Sequence, residues 1–199
     1  MKRLLFSTIM FLMAFISANA QGDVYTLVRP NCTSVTVKAG HLFNNGIGDY
    51  DFSHDYFVAG FEIGKYFNQT VGITGDFSIA ESSKDVDTRL YTLGLMFNTR
   101  LTNYYADSPV DVALNFGASY GRFDFTEMWV DSEGVDYFVP KVSLDIIFNL
   151  SRDKTYQFAI TPSYQYFVHS KEKYYYDDGS RVKSDISVIG IAGKFRVNF

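Results

Sequence analysis

A single cysteine, Cys32, in 199 residues excludes an intramolecular disulfide. Its position, well past the first twenty residues, also excludes a lipidated N-terminal cysteine on the mature chain. Three scattered histidines and that cysteine give no ligand spacing for a zinc site. Neither Asp49-Tyr50-Asp51 nor Tyr176-Asp177-Asp178-Gly179 has the form of an EF-hand loop, so no metal and no cofactor is expected. The net charge of −4, without a basic run, argues against a nucleic-acid partner. Beyond residue 20 no stretch approaches the roughly 20 apolar residues of a spanning helix. Any crossing of a membrane therefore falls to strands.

The first twenty residues have a separate character. Met1-Lys2-Arg3 is a positive n-region, Leu4 to Ser17 an apolar h-region, and Ala18-Asn19-Ala20 an A-x-A cleavage site. This pattern predicts a secretory signal, cut after Ala20. The rest of the chain is rich in aromatics, 18% overall with 19 Phe and 15 Tyr, and it alternates with period 2. The clearest case is the last sixteen residues. Ile189, Ile191, Gly193, Phe195, Val197 and Phe199 share one parity, and Gly190, Ala192, Lys194, Arg196 and Asn198 the other. A strand sends successive side chains to opposite faces, so Ser184 to Phe199 has one greasy and one small or polar face.

Seven earlier segments read the same way. Ser34–Phe43 puts Val35, Val37 and Ala39 outward with Thr36, Lys38 and Gly40 inward. Phe57–Phe67 puts Phe57, Ala59, Phe61 and Ile63 outward with Gly60, Glu62 and Gly64 inward. Thr70–Glu81 puts Val71, Ile73, Phe77 and Ile79 outward with Gly72, Thr74, Asp76 and Ser78 inward. Thr88–Thr102 puts Tyr91, Leu93, Leu95 and Phe97 outward with Thr92, Gly94, Asn98 and Arg100 inward. Val110–Phe125 puts Val112, Leu114, Phe116 and Tyr120 outward with Asp111, Asn115, Gly117, Ser119 and Gly121 inward. Past Gly121, Phe123 and Phe125 predict a bulge or an exit from the membrane. Phe138–Leu150 puts Val142, Leu144, Ile146 and Phe148 outward with Lys141, Ser143, Asp145 and Asn149 inward. Thr155–His169 puts Tyr156, Phe158, Ile160, Tyr164 and Tyr166 outward with Gln157, Thr161, Ser163 and Gln165 inward. Pro140 and Pro162, on the outward parity, predict bulges or gaps where each removes a ladder donor.

A soluble β-sandwich would alternate too, but would not usually need aromatics at both ends of eight runs. A lipocalin-like barrel turns its apolar face inward. The polar parity here carries Lys38, Glu62, Asp76, Arg100, Asp111, Lys141, Asp145, Lys194 and Arg196, and a basic residue facing lipid costs roughly 2–4 kcal/mol at the midplane. The greasy face is therefore the outer one. Connections alternate between short ones and mostly longer, Asp-, Ser- and Gly-rich ones, as periplasmic turns and extracellular loops do in transmembrane barrels. The prediction is an all-β, eight-stranded antiparallel up-and-down transmembrane β-barrel over residues 34–199, after a signal peptide (1–20) and a periplasmic segment (21–33), with both termini periplasmic.

On this pattern, and on the closing residues Gly193-Lys194-Phe195-Arg196-Val197-Asn198-Phe199, the chain resembles the small outer-membrane β-barrels of the OmpA/OmpX-like type. The resemblance covers Ser34 to Phe199. It implies an integral place in the outer membrane among lipids and lipopolysaccharide. It also implies that Gly193, Phe195, Val197 and Phe199 act as the recognition signal for the barrel-assembly machinery. The glycine usually stands one position nearer the end, and Ala192-Gly193 leaves room for close backbone approach.

Candidate chemistry is sparse. An eight-stranded barrel is just wide enough for side chains to fill it, so its interior charges are expected to pair, as buried charges must. His41 and His169 fall near the extracellular ends of strands one and seven, and His54 in the first loop. His169 and Ser170 are adjacent and face opposite ways, which a Ser–His–acid site does not tolerate. In the last loop Lys171 to Arg181 holds Tyr174, Tyr175 and Tyr176 among mixed charges, a composition common in recognition surfaces and also fitting a hairpin turning at Asp178-Gly179. The sequence thus reads as a non-enzymatic envelope protein with a structural role and loops open to an extracellular partner. A narrow pore and a lipid A-modifying enzyme are the alternatives.

Overall fold

The computed structural model describes residues 32–44, 55–67, 70–82, 88–102, 109–125, 135–169 and 186–199. The expected signal segment, residues 21–31 of the N-terminal segment, His54 and the loop bearing Tyr174, Tyr175 and Tyr176 lie outside the described residues. Eight strands are present among them: β1 (Thr33–Asn44), β2 (Tyr56–Tyr66), β3 (Val71–Ser82), β4 (Thr88–Arg100), β5 (Val110–Phe125), β6 (Val135–Asn149), β7 (Tyr156–His169) and β8 (Ile186–Asn198). Each pairs antiparallel with its neighbours in sequence, and β8 returns to β1 to close a barrel. Closure leaves no free strand edge.

The seam between β1 and β8 runs in unbroken register from Ser34 opposite Asn198 to Asn44 opposite Val188. The last residue takes part: Thr33 N–H donates to the Phe199 carbonyl at 3.2 Å, and Phe199 N–H to the Thr33 carbonyl at 2.8 Å. The outward parity of every strand is apolar and open, as with Phe57, Phe61, Ile63, Leu93, Leu95, Phe97, Phe116, Phe138, Ile160 and Ile191. Toward the short-turn end, register sets Phe97 against Phe116 and Phe148 against Phe158, and both pairs stack, with ring centroids 5.8 and 6.4 Å apart. Near the other end His41 faces outward, stacked on Phe43 and edge-on to Phe57.

One expectation needs correction, and another resolves to one of its two outcomes. No bulge follows Gly121, because β5 and β6 stay in register through Arg122 opposite Asp136 and Phe123 opposite Val135. Phe123 keeps the inward parity and is buried; the aromatic residue belongs to the lumen. Nor do the prolines make bulges. The β6–β7 register is the same before and after each, but the pairs flanking Pro140 and Pro162 drop out of the ladder. Both prolines thus produce local gaps in one seam, the lesser of the two outcomes expected. Strand β6 also begins earlier than its alternation implied, at Val135, and β4 ends earlier, at Arg100.

The outer face yields a first prediction. Leu95 is 58% exposed and flanked across strands by Gly75 and Ala118, which could not shield a charge. Leu95→Arg is expected to cost about 2–4 kcal/mol of stability in bilayers. Urea titration of the vesicle-folded barrel measures it; a loss below about 0.5 kcal/mol would mean that this face does not meet lipid.

Candidate functional site

The lumen is the only enclosed space that the closed sheet makes, and its contents fall into three levels. At the long-loop end the inward parity turns apolar. Leu42, Tyr56, Val58, Ala80, Leu90, Phe123, Tyr137, Val139, Phe167, Ile186 and Val188 form one buried cluster. Phe123 lies at its middle, with ring centroids 5.3 Å from Tyr137, 5.7 Å from Phe167 and 6.0 Å from Tyr56. This apolar cap is absent from the sequence reading, which took the inward face as polar throughout. Its signal was there as short runs apolar on both parities at the loop-side strand ends, namely Tyr56-Phe57-Val58, Tyr137-Phe138-Val139 and Tyr166-Phe167-Val168.

Below the cap lies a ladder of charge. Register places Glu62 directly opposite Asp76 and Lys38 directly opposite Lys194, like-charge pairs that would repel if left alone. Crossing contacts relieve them. Lys38 Nζ bonds to Asp76 and lies 3.5 Å from Glu62. Lys194 Nζ is 2.9 Å from Glu62 and 3.2 Å from Asp145. Lys141 reaches across the lumen from β6 to Asp76 on β3, at 2.7 Å. Arg196 donates to Asp145 Oδ2 at 2.9 Å. One continuous network, Lys141–Asp76–Lys38–Glu62–Lys194–Asp145–Arg196, thereby links β1, β2, β3, β6 and β8. Thr161 extends it, donating to Asp145 at 2.8 Å, while Ser78 and Thr92 share a separate 2.6 Å hydrogen bond. A parallel rung runs from Thr74 through Asn98 and Asn115 to Ser143, at 2.6, 2.7 and 3.2 Å.

The two remaining sequence-selected charges sit apart, at the short-turn end. Arg100 lies with its guanidinium 4.3 Å from the Tyr66 ring centroid, a cation–π geometry. The Tyr66 ring lies over Gly72, where a Cβ would come within 2.9 Å of it, so glycine is what admits the ring. Asp111 accepts from Asn149 at 2.9 Å and Thr102 at 3.1 Å, and its ion-pair partner is Lys154 at 3.0 Å. Lys154 falls in the short connection between the sixth and seventh runs, where alternation assigns no face. That turn is built to aim it inward: Lys154 N–H donates to the Ser151 carbonyl, Asp153 accepts from Thr155 N–H and hydroxyl, and Lys154 takes φ 58°. Asn198 then donates to the Lys154 carbonyl at 2.6 Å. A lone lysine between Asp153 and Thr155 carries no periodic signal, so only the fold reveals it.

The closing residues divide between environments. Phe195 stacks on Tyr156, Val197 is buried and Phe199 is exposed. Gly193 faces outward, and an added methyl would meet Phe158 ring carbons at 3.6 Å and the Ala39 carbonyl oxygen at 3.9 Å, both ordinary contacts. Close backbone approach occurs instead at Gly40, where a Cβ would fall 2.6 Å from the Ala192 Cα.

No family model and no curated protein matches this sequence. Solved structures do match in fold. Neisserial surface protein A aligns over 86% of this chain and 98% of its own, with TM-score 0.61 and 14% identity. A major outer membrane protein from Thermus thermophilus aligns over 86% and 100%, with TM-score 0.56 and 12% identity. OprG from Pseudomonas aeruginosa aligns over 87% and 98%, with TM-score 0.51 and 9% identity. With an apolar outer belt around a polar, ion-paired interior, the chain has the fold of the small eight-stranded outer-membrane β-barrels.

Proposed function

We propose that the protein is a non-enzymatic outer-membrane barrel, closed to solutes, that serves the envelope structurally and meets extracellular partners through its loops. The observation that carries this reading is the filling of the lumen. The apolar cap, the charge ladder and the Lys154–Asp111 pair follow one another along its length, and the first two draw side chains from strands on opposite walls. An eight-stranded barrel has little width to spare once such groups are in place. The outward setting of His41 between two aromatic rings supports the non-enzymatic part, since it turns that imidazole away from the lumen carboxylates. The hydrogen-bonded end of β8 at Thr33 supports the use of Gly193, Phe195, Val197 and Phe199 as an assembly signal. Recognition would rest with Tyr174, Tyr175 and Tyr176.

Planar bilayers test the closed lumen. The refolded barrel is expected to give no resolvable single-channel steps. Steady steps whose cation or anion preference shifts in Lys141→Glu would replace this reading with a narrow pore.

A further inference from the structure

The charge ladder does not balance. Its cations are Lys38, Lys141, Lys194 and Arg196; its anions are Glu62, Asp76 and Asp145. One positive charge is left over inside a wall of lipid-facing strands. A buried ion left without a partner costs several kcal/mol, so the excess calls for an anion that the described residues of the ladder do not supply.

The lumen has a place for one. Where the ladder meets the apolar cap there is a cavity of about 30 Å³, lined by Lys38, Lys141 and Lys194 below and by Leu42, Val58 and Leu90 above. Among the described residues Lys141 has a single carboxylate partner, shared with Lys38, so its ammonium keeps donors to spare. Ser78 and Thr92 also line the cavity. Their mutual hydrogen bond uses one hydroxyl hydrogen and leaves the other free to donate. A space of this size holds more than one water-sized particle and admits a small inorganic anion. The apolar roof keeps the local dielectric low and strengthens the pull of three ammonium groups.

We propose that this cavity is a binding site for one small inorganic anion such as chloride, held by Lys141 together with Lys38, Lys194 and the Ser78–Thr92 hydroxyl pair, which neutralises the charge ladder. The site is independent of whether the loops bind a partner. Two rivals fill the same space: water alone, or a ladder made neutral by loss of a lysine proton. Neither depends on the kind of salt present.

The test folds the full chain from urea into detergent in chloride, bromide or gluconate at one ionic strength and pH. The unfolding midpoint is read from the mobility difference between boiled and unboiled barrel. Above half-saturation the midpoint is expected to rise by about 3–5 °C per tenfold chloride, with bromide equivalent and gluconate without effect. Lys141→Gln, which balances the ladder, is expected to lose the response. Arg89→Gln, in an exposed ion pair with Glu81 on the outer rim, is expected to keep it. Equal midpoints in chloride and gluconate would overturn the site, and so would a response undiminished in Lys141→Gln. If Lys141→Gln does not fold, crystals grown in bromide decide. An anomalous peak touching the Lys141 Nζ supports the site, and a cavity without anomalous signal refutes it.

Discussion

Asp145→Ala is expected to remove about 3–5 kcal/mol of folding stability, the cost of stripping the carboxylate from a buried ion pair. Asp145 is 1% exposed on β6. It accepts from Lys194 at 3.2 Å, Arg196 at 2.9 Å and Thr161 at 2.8 Å. Without it Lys194 retains Glu62, but Arg196 retains only the Thr36 hydroxyl, at 3.4 Å. The position matters for the backbone as well. Asp145 faces Thr161 beside Pro162, where the β6–β7 ladder is interrupted, so the side-chain bond from Thr161 stands in for the missing rung. Urea-induced loss of the fast-migrating form in vesicles measures the effect. In the Asp145→Ala background, Arg196→Met is expected to recover stability, because removing the stranded charge is cheaper than burying it. That non-additivity separates charge stranding from cavity formation. A single-variant loss below 1 kcal/mol, or a double variant weaker than the single, would show that the ladder contributes little.

The architecture was legible because lipid outside and polar groups inside impose a strict period of two. One wrong parity would move a whole strand's apolar set to the wrong side, so Leu93-Gly94-Leu95-Met96-Phe97 admits one reading in the middle of β4. The charges at Lys38, Glu62 and Lys194 could be assigned inward by the same logic. Their pairing could not, since it depends on the stagger that brings Lys141 of β6 against Asp76 of β3 across the lumen. The reading failed where the lumen itself turns apolar. At Tyr137-Phe138-Val139 both parities are greasy, alternation carries no information, and Phe123 reads as a bulge or an exit from the membrane. Lys154 escaped for another reason: its inward aim comes from a turn with positive φ, a conformation that its residue type disfavours.

That failed position supplies the other large effect. Phe123→Ala is expected to cost about 3–5 kcal/mol, the range for truncating a buried aromatic. The side chain is 2% exposed, and it is the ring on which Tyr56, Tyr137 and Phe167 converge. A closed β-barrel cannot readily shrink around the hole, because hydrogen-bonded neighbours fix its circumference on every seam but the interrupted β6–β7 one. The control is Phe116→Ala on the same strand. Phe116 faces outward and is 49% exposed, so acyl chains can fill the space its ring vacates, and the loss there is expected to be clearly smaller. Phe123→Leu, which keeps most of the volume, is expected to fall between the two. Urea titrations of the three variants in the same vesicles give the order directly. Equal losses at positions 123 and 116 would put both rings in lipid, restore the bulge after Gly121, and leave the long-loop end of the lumen without its cap.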